Sequence, residues 1–249
     1  MVTKLKLAFV STLLALIFFS EEACNKSNNN YVGTPAAFNV VNAIPTATRG
    51  IQTIFGQIDS PYYYSKLSSL SYGSSYLYSP VSGKNSFYVV QRYDTTFTDL
   101  KAPLFNGSLT LQSAAVYTLF LAGDTTSVDT LLTEDNIPYN PIGDSISSVR
   151  FVNMCTGSQP FNVTIRGNPA SQTEFSNIYY KGVTEWKNYP AVKSVGGHYY
   201  FTLRDQATGD SLTSFTWTYQ VYKSNTIVIA GSEVTGSTHP FKLFSTNYY

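Results

Sequence analysis

The sequence Phe38-Asn39-Val40-Val41-Asn42 returns about one domain length later as Val149-Arg150-Phe151-Val152-Asn153. Both runs are rich in β-branched and aromatic residues and end in Asn, which is typical of a strand whose final side chain folds back to start a turn. Two further segments recur with matching spacing: Val81-x-Gly83-x-x-x-Phe87 as Val195-x-Gly197-x-x-x-Phe201, and Tyr117–Gly123 as Asn225–Gly231. A repeat of roughly a hundred residues has the size of a domain. The sequence therefore predicts two tandem modules that fold alike.

The composition favours strands in both modules. The 249 residues are 43% hydrophobic and only 12% charged, which is too apolar for a disordered chain. Aromatic residues make up 15%, and Gly, Pro, Ser and Asn separate the apolar runs at sandwich-like intervals. We predict an all-β fold: two tandem β-sandwich domains of similar topology after an N-terminal signal segment, with no helix beyond that segment.

Individual strands follow from runs of aromatic and β-branched residues. Those of the first module are Phe38–Asn42, Ile51–Ile58, Tyr72–Tyr78, Phe87–Gln91, Leu109–Leu111, Tyr117–Ala122 and Thr130–Thr133. Those of the second are Val149–Asn153, Phe161–Arg166, Ile178–Tyr180, Tyr199–Arg204, Phe215–Tyr219, Thr226–Ala230 and Phe241–Phe244. When Gly123 is laid on Gly231, Leu109 and Leu111 align with Trp217 and Tyr219.

The N-terminus has the pattern of a targeting segment. Two lysines precede an apolar run at Leu7–Phe19, which has the length of a signal-peptide core and is short for a membrane span. Cys24 follows this run as the acceptor cysteine of a bacterial lipoprotein would, and Ala23 fits the small residue before the cleavage point. Glu21 and Glu22 depart from that pattern, so an unlipidated secreted protein is the alternative.

The predicted organisation has five parts. They are a signal peptide at 1–23, a flexible tether at 24–36, a first β-sandwich module at 37–136, a Pro-containing linker at 137–146 and a second β-sandwich module at 147–249. The tether is Asn-rich and lacks periodicity, whereas Pro138 and Pro141 make the linker stiff.

The sequence shows no catalytic constellation, and we predict no catalytic residue, no metal site and no cofactor. The chain has only 2 histidines, and its 15 carboxylates are scattered, with Glu174 and Glu185 the best pair for a glycosidase. His198 is expected in an exposed turn, and Cys155 is expected to be a small buried residue. The net charge of +1 and the lack of a basic stripe exclude a nucleic-acid partner.

Tyrosine clusters are the candidate binding surface. Exposed tyrosines stack on sugars or form protein interfaces, and neighbouring tyrosines on a strand point to opposite faces, so one of each pair should point outward. The candidates are Tyr62, Tyr63, Tyr64, Tyr179 and Tyr180. The alternative is that these rings belong to an aromatic core.

Several Asp-Ser and Asp-Thr steps resemble the acceptor motif for O-glycosylation in some Gram-negative lipoproteins. The candidate acceptors are Thr95, Thr125, Thr130, Ser145 and Ser211. Because Asp followed by a hydroxyl residue is also common in turns, ordinary turn chemistry is the alternative.

Taken together, these segments resemble the domain-of-unknown-function family four-three-nine-seven, found in bacterial surface proteins and lipoproteins. The resemblance rests on the strand Val149–Asn153, the turn Asn42–Pro45, the stretches Leu70–Gly73 and Ile178–Gly182, and the strand Tyr117–Gly123. It covers nearly all of residues 37–249. The family implies an immunoglobulin-like or transthyretin-like sandwich on the cell surface and supplies no catalytic residues.

The expected protein is therefore a non-catalytic lipoprotein of the Gram-negative cell envelope, placed at the outer membrane, and not an enzyme. Its expected partners are the membrane, through an N-terminal lipid, and a glycan or protein ligand. Its role would be binding, adhesion or structure. The alternatives are a fimbrial-type subunit that assembles by strand exchange and a surface carbohydrate-active hydrolase.

Overall fold

The computed structural model describes residues 34–47, 49–56, 69–91, 103–192, 196–232 and 241–248. The chain divides into a unit at Met1–Thr34 and a unit at Pro35–Tyr249, and the description below concerns the second. Predictions for the signal peptide, Cys24, Tyr62, Tyr63, Tyr64 and Thr95 lie outside the described residues.

The first module consists of two sheets. Its strands are β1 (Ala37–Asn42), β2 (Ile51–Phe55), β3 (Ser74–Tyr78), β4 (Gly83–Gln91), β5 (Phe105–Leu111), β6 (Val116–Gly123) and β7 (Val128–Glu134). One sheet has the order β3-β1-β6-β7 and the other β2-β4-β5.

The second module repeats this plan with one more strand. Its strands are β8 (Ile146–Asn153), β9 (Phe161–Ile165), β10 (Thr173–Ile178), β11 (Lys187–Pro190), β12 (His198–Asp205), β13 (Ser211–Thr218), β14 (Ser224–Ala230) and β15 (Lys242–Asn247). The sheet orders are β11-β8-β14-β15 and β10-β9-β12-β13. The predicted all-β fold of two similar sandwiches is confirmed. The described residues include no helix that could cross a membrane.

Strand pairing confirms the alignment of the two modules. Strand β1 runs parallel to β6, and β8 runs parallel to β14, in sheets whose other pairs are antiparallel. Phe87 pairs with Gly107 and Phe201 with Phe215, so Leu109 and Trp217, two residues further on, take equivalent positions.

The two strand-ending asparagines start their turns as predicted. The Asn42 Oδ1 atom accepts a hydrogen bond of 3.0 Å from the Ile44 amide, and Asn153 Oδ1 accepts one of 2.9 Å from the Cys155 amide. Their Nδ2 atoms donate to the carbonyls of Leu70 and Ile178, at 2.9 and 3.1 Å. Both asparagines are fully buried, so each side chain satisfies main-chain groups that water cannot reach.

In the second module one strand prediction is wrong and one strand was missed. Strand β10 ends at Ile178, and the two residues that follow lie in a turn instead of continuing the strand. Strand β11 was not predicted, since its four residues Lys187–Pro190 include a lysine and a proline. The prediction for Cys155 is confirmed: its side chain is buried, and its thiol donates to the Gly231 carbonyl over 3.4 Å.

Each module encloses its own aromatic core. In the first, the rings of Phe38 and Phe87 lie 5.5 Å apart in an edge-to-face contact between the two sheets. In the second, Phe151 and Phe201 repeat this contact at 5.3 Å, and Trp217 stacks on Phe201 at 6.1 Å. Such pairs stabilise the core beyond the area that they bury.

A third core joins the modules. It is made by residues on the outer faces of β1, β6, β8, β14 and β15: Val41, Ala43, Phe120, Ala122, Val152, Met154, Val228, Ala230 and Phe244. The four strands β1, β6, β8 and β14 are therefore buried on both faces. Apolar residues in succession, such as Leu119-Phe120-Leu121, are typical of strands covered on both sides.

The third core has approximate two-fold symmetry. When the modules are aligned on Asn42 with Asn153 and on Gly123 with Gly231, nearly all its members fall into equivalent pairs: Val41 with Val152, Ala43 with Met154, Phe120 with Val228, Ala122 with Ala230, and Leu131 with Phe244. The modules thus pack as two subunits of an isologous dimer would.

Polar contacts on either side of this core follow the same symmetry with different residues. Asp129 of the first module accepts hydrogen bonds from Tyr180 and Lys181 of the second. The equivalent of Asp129 is Lys242, whose ammonium donates to the Tyr72 carbonyl over 3.0 Å and lies 4.9 Å from the Tyr72 ring.

Candidate binding groove

At the sheet edge, one segment of the second module is one residue longer than the equivalent segment of the first module. After the turn, the Gly73 amide donates to Asn42 and the Lys181 amide donates to Asn153, so these two positions are equivalent. Further along, Tyr78 pairs with Phe38 and Lys187 pairs with Val149, which are again equivalent positions. Residues 74–77 fill this interval in the first module, and residues 182–186 fill it in the second.

The extra residue forms a bulge and replaces regular pairing by a side-chain contact. The Phe151 amide, which a neighbouring carbonyl would accept in a regular ladder, donates to Thr184 Oγ1 at 2.9 Å. The Thr184 amide also donates to the Phe151 carbonyl over 2.9 Å, and the Asn153 amide donates to the Gly182 carbonyl over 3.0 Å, on either side of the Val152–Val183 bridge. Bulges of this kind redirect side chains at sheet edges.

A groove opens between this bulge and β10. Its volume is about 260 Å³, and its lining consists of Phe175, Ser176, Asn177, Ile178, Gly182, Val183, Thr184, Glu185 and Lys187. Phe175 and Ile178 are buried and form an apolar floor, whereas the polar residues stand at the rim.

The rim offers polar groups that the fold does not use. The Glu185 carboxylate is exposed and makes no hydrogen bond or ion pair with the residues that the structure describes. The side chains of Ser176 and Asn177 are also exposed. Asn177 has a φ of +56°, a left-handed conformation that Asn tolerates better than most residues.

Lys187 and Glu174 are held by neighbours at one end of the groove. The Lys187 ammonium lies 5.1 Å from the Phe175 ring centroid and 3.7 Å from Glu174 Oε2, and it donates to the Glu174 carbonyl. Tyr189 donates its hydroxyl to Glu174 Oε2 over 2.8 Å, and burial together with this carboxylate raises the pKa of Tyr189. Glu174 is thus engaged by structural contacts, unlike Glu185.

The two adjacent tyrosines of the predicted binding surface have different surroundings. Tyr179 is 61% exposed, and its main chain adjoins the groove, since its carbonyl accepts from the amide of the lining residue Gly182 over 2.7 Å. Tyr180 points to the first module, where its hydroxyl donates to Asp129 Oδ2 over 2.9 Å. Burial, with this contact, raises the pKa of Tyr180 to about 12.

Other residues singled out from the sequence lie away from the groove. His198 was expected in an exposed turn but is the half-buried first residue of β12, with its ring 4.7 Å from that of Tyr200. Of the candidate glycosylation acceptors, Ser211 is exposed, whereas Thr125, Thr130 and Ser145 are half-buried. Their modification stays a prediction. No group of acidic, histidine or cysteine residues among those described is arranged to hold a metal ion.

Sequence reasoning missed four polar groove residues, Ser176, Asn177, Thr184 and Lys187, and it named Glu185 only as one half of a carboxylate pair. The feature that marks the groove is a difference in length, since the interval 182–186 is one residue longer than the interval 74–77. That difference becomes visible only when hydrogen bonds fix both ends of each interval.

Comparisons with known proteins give little further information. No protein-family model matches the sequence, and no curated protein matches it. One similar solved structure is a family 26 carbohydrate-binding module of Eubacterium rectale Amy13K in complex with maltoheptaose, 10% identical, with a TM-score of 0.26 over 86% of this chain and 97% of that chain. Another is a streptococcal virulence factor described as binding α-glucan, 12% identical, with a TM-score of 0.25 over 78% of this chain and 92% of that one. TM-scores this low carry no conclusion about the ligand of this chain.

Proposed function

We propose that this protein is a non-catalytic glycan-binding lipoprotein of the bacterial cell envelope, and that its second module binds the ligand in the groove beside Tyr179. The observation that supports this proposal is the combination of an apolar floor with exposed polar groups that the fold leaves unused. The floor is Phe175 and Ile178, and the unused groups are the side chains of Ser176, Asn177 and Glu185.

A sugar has the chemistry that these groups require. A pyranose ring presents C–H groups on its faces and hydroxyls around its edge, so it can stack on an aromatic ring and donate to a carboxylate at once. Tyr179 supplies the exposed ring, Glu185 the acceptor, and Asn177 both a donor and an acceptor. A groove of about 260 Å³ is at the small end of ligand sites, typically about 300–1,000 Å³, which favours one or two sugar units.

The envelope location rests on the N-terminal sequence. A signal-length apolar run followed by Cys24 supports lipid attachment at that cysteine. Membership of the domain-of-unknown-function family four-three-nine-seven is part of the same proposal. The described residues offer no observation that favours the alternatives of strand exchange or hydrolysis.

The test is glycan-array screening of the full-length protein in detergent, followed by calorimetric titration of the glycans that bind. We expect Tyr179→Ala and Glu185→Gln each to weaken binding about tenfold, which corresponds to one lost stacking or charge-assisted contact. Tyr76→Ala is the matched control, because Tyr76 is 51% exposed but lies on β3 of the other module. Binding that survives both groove variants, or that only Tyr76→Ala weakens, would overturn the assignment.

A further inference from the structure

The chain enters the folded unit at one defined end. Pro35 forms a bridge with Val81, and its carbonyl accepts from the Ala114 amide over 3.2 Å. Strand β1 then starts at Ala37, whose amide donates to the Ala115 carbonyl over 3.0 Å. Because β1 and β6 are parallel, the first residues of both strands lie at this end.

The linker between the modules lies at the same end. It leaves β7 beside the start of β6, where the Asp135 amide donates to Val116 over 2.7 Å. It then packs against the start of the second module: Ser148 Oγ donates to Asn140 Oδ1 over 3.0 Å, and Ser224 Oγ donates to the Pro138 carbonyl over 3.4 Å.

Two turns of the second module complete this end. The Tyr222 amide donates to Ile146, the first residue of β8, over 2.8 Å, and the Ala191 amide donates to Ser145 over 2.6 Å. We call the residues gathered here the proximal end: Pro35, residues 136–145 between β7 and β8, residues 190–192 and the turn 219–223.

The proximal end exposes large apolar side chains. Ile142 is 87% exposed and Tyr139 is 84% exposed, and both lie on one loop. Tyr139 lies between Pro138 and Pro141, and Ile142 directly follows Pro141. The neighbouring turns add Val192, Val221 and Tyr222, exposed by 38%, 38% and 36%. A single exposed apolar residue is ordinary, but several at one end of a molecule mark an interaction surface.

We propose that the proximal end rests on the lipid bilayer, with Ile142 inserted among the acyl chains and Tyr139 at the level of the headgroups. This inference rests on the proposed lipid at Cys24. The tether predicted from the sequence places Cys24 eleven residues before Pro35, and a flexible chain of that length would span about 18 Å on average and about 37 Å fully extended. Such a tether holds Pro35 within reach of the membrane surface, so that contact there needs little further ordering.

The side-chain chemistry suits this partner. Tyrosine prefers membrane interfaces because its ring is apolar and its hydroxyl is polar, and an aliphatic residue beside it adds apolar burial. The groove lies toward the other end of the second module, since Ile178 binds the Asn153 side chain where β8 ends. A protein seated on its proximal end therefore turns the groove toward the surroundings.

The test uses full-length protein labelled with an environment-sensitive fluorophore at Ile142→Cys and reconstituted in phosphatidylethanolamine–phosphatidylglycerol vesicles. Spin-labelled lipids are the quencher. We expect quenching and a blue shift for the label at position 142. The same label at Ser127→Cys, an exposed residue in the turn before β7 at the opposite end of β6, should show neither. Equal quenching at both positions, or none at either, would overturn the proposal.

A second arm separates this inference from lipidation. Cys24→Ser protein with an N-terminal His tag is tethered to vesicles that contain a nickel-chelating lipid, so a tether exists whether or not Cys24 is acylated in cells. Tyr139→Ser/Ile142→Ser should lower untethered partitioning of the same protein about tenfold, as expected when roughly half of each side chain is buried. If mass spectrometry shows no acyl group on the native protein but the label at position 142 is quenched in this arm, the lipoprotein proposal fails and the membrane-contact proposal stands.

Discussion

Replacement of Asp135 by Asn should destabilise the whole folded unit, not one module alone. The Asp135 side chain is 0% exposed and its ion-pair partner, Arg150 of the second module, is 6% exposed. Arg150 also donates to Thr226 Oγ1 at 2.9 Å and to the Tyr248 hydroxyl at 2.7 Å, and it stacks on Trp186 at 4.6 Å. These contacts position the guanidinium but do not neutralise it.

The magnitude follows from the burial of the charge. Loss of one partner of a buried ion pair costs about 3–5 kcal/mol, because the other charge remains without compensation. The Thr118 and Thr133 hydroxyls donate to different Asp135 oxygens in the native protein, at 2.5 and 2.7 Å. The Asn side chain keeps one acceptor oxygen for one of these hydroxyls, and its Nδ2 can donate to the other. We therefore expect the lower figure, about 3 kcal/mol, a large part of the about 5–15 kcal/mol that stabilises a typical protein.

Urea denaturation can measure this loss with two probes. Both tryptophans lie in the second module, Trp186 beside Arg150 and Trp217 in the core, whereas far-UV circular dichroism follows both modules. We expect coincident transitions, each shifted by the same free energy. The double variant Asp135→Asn/Arg150→Met should cost about 2 kcal/mol less than the sum of its single variants. A cost below about 1 kcal/mol for Asp135→Asn, or additive single costs, would refute the reasoning.

Two further predictions concern a titrating contact and a turn. Burial acts to raise the pKa of Asp129, but hydrogen bonds from Lys181 and Tyr180 outweigh it and lower that pKa, so the contact stabilises the fold above about pH 4 and is lost on acidification. Because Asp129 and Lys181 are partly exposed, Asp129→Asn should cost only about 0.2–1 kcal/mol at pH 7. The urea midpoints of variant and native protein should converge as the pH is lowered from about 4 to about 2; a difference that stays constant over this range contradicts the reasoning. Asn153→Ala and the matched Asn42→Ala should each cost about 1–3 kcal/mol in thermal unfolding, since each leaves a buried amide unsatisfied, and a neutral result at either position would show that the turns are not equivalent.

The repeat and most strands could be predicted from the sequence because both depend on local patterns. Equal spacing around Gly83 and Gly197 and the matching ends at Asn42 and Asn153 were enough to align the modules. The third core was not predicted, because the alternation in this strand assigns Leu119 and Leu121 to one apolar inner face and gives the outer face, with Phe120, no partner. Sequence periodicity shows that a face is apolar, but it does not show whether another module or a ligand covers it.

The groove could not be predicted for a different reason. It depends on one additional residue in the segment 182–186, and a single insertion changes no composition and no periodicity. Exposure of Tyr179 was predicted from its residue type alone, whereas the position of the Glu185 carboxylate at the groove depends on the bulge. The contacts that occupy Glu174 but not Glu185 are tertiary, so these two carboxylates could not be distinguished from the sequence.

The charged residues beside the third core differ between the two modules, and this difference determines which modules can pair. Two copies of the second module would bring Lys242 against Lys181, and two copies of the first would leave Asp129 opposite Gly73, without a cation. Only the pairing of unlike modules satisfies both sides, because like charges in contact are disfavoured. The packing has the symmetry of a homodimer, yet its two halves are not interchangeable at these positions. Divergence at these few positions therefore disfavours the association of two like modules from different chains.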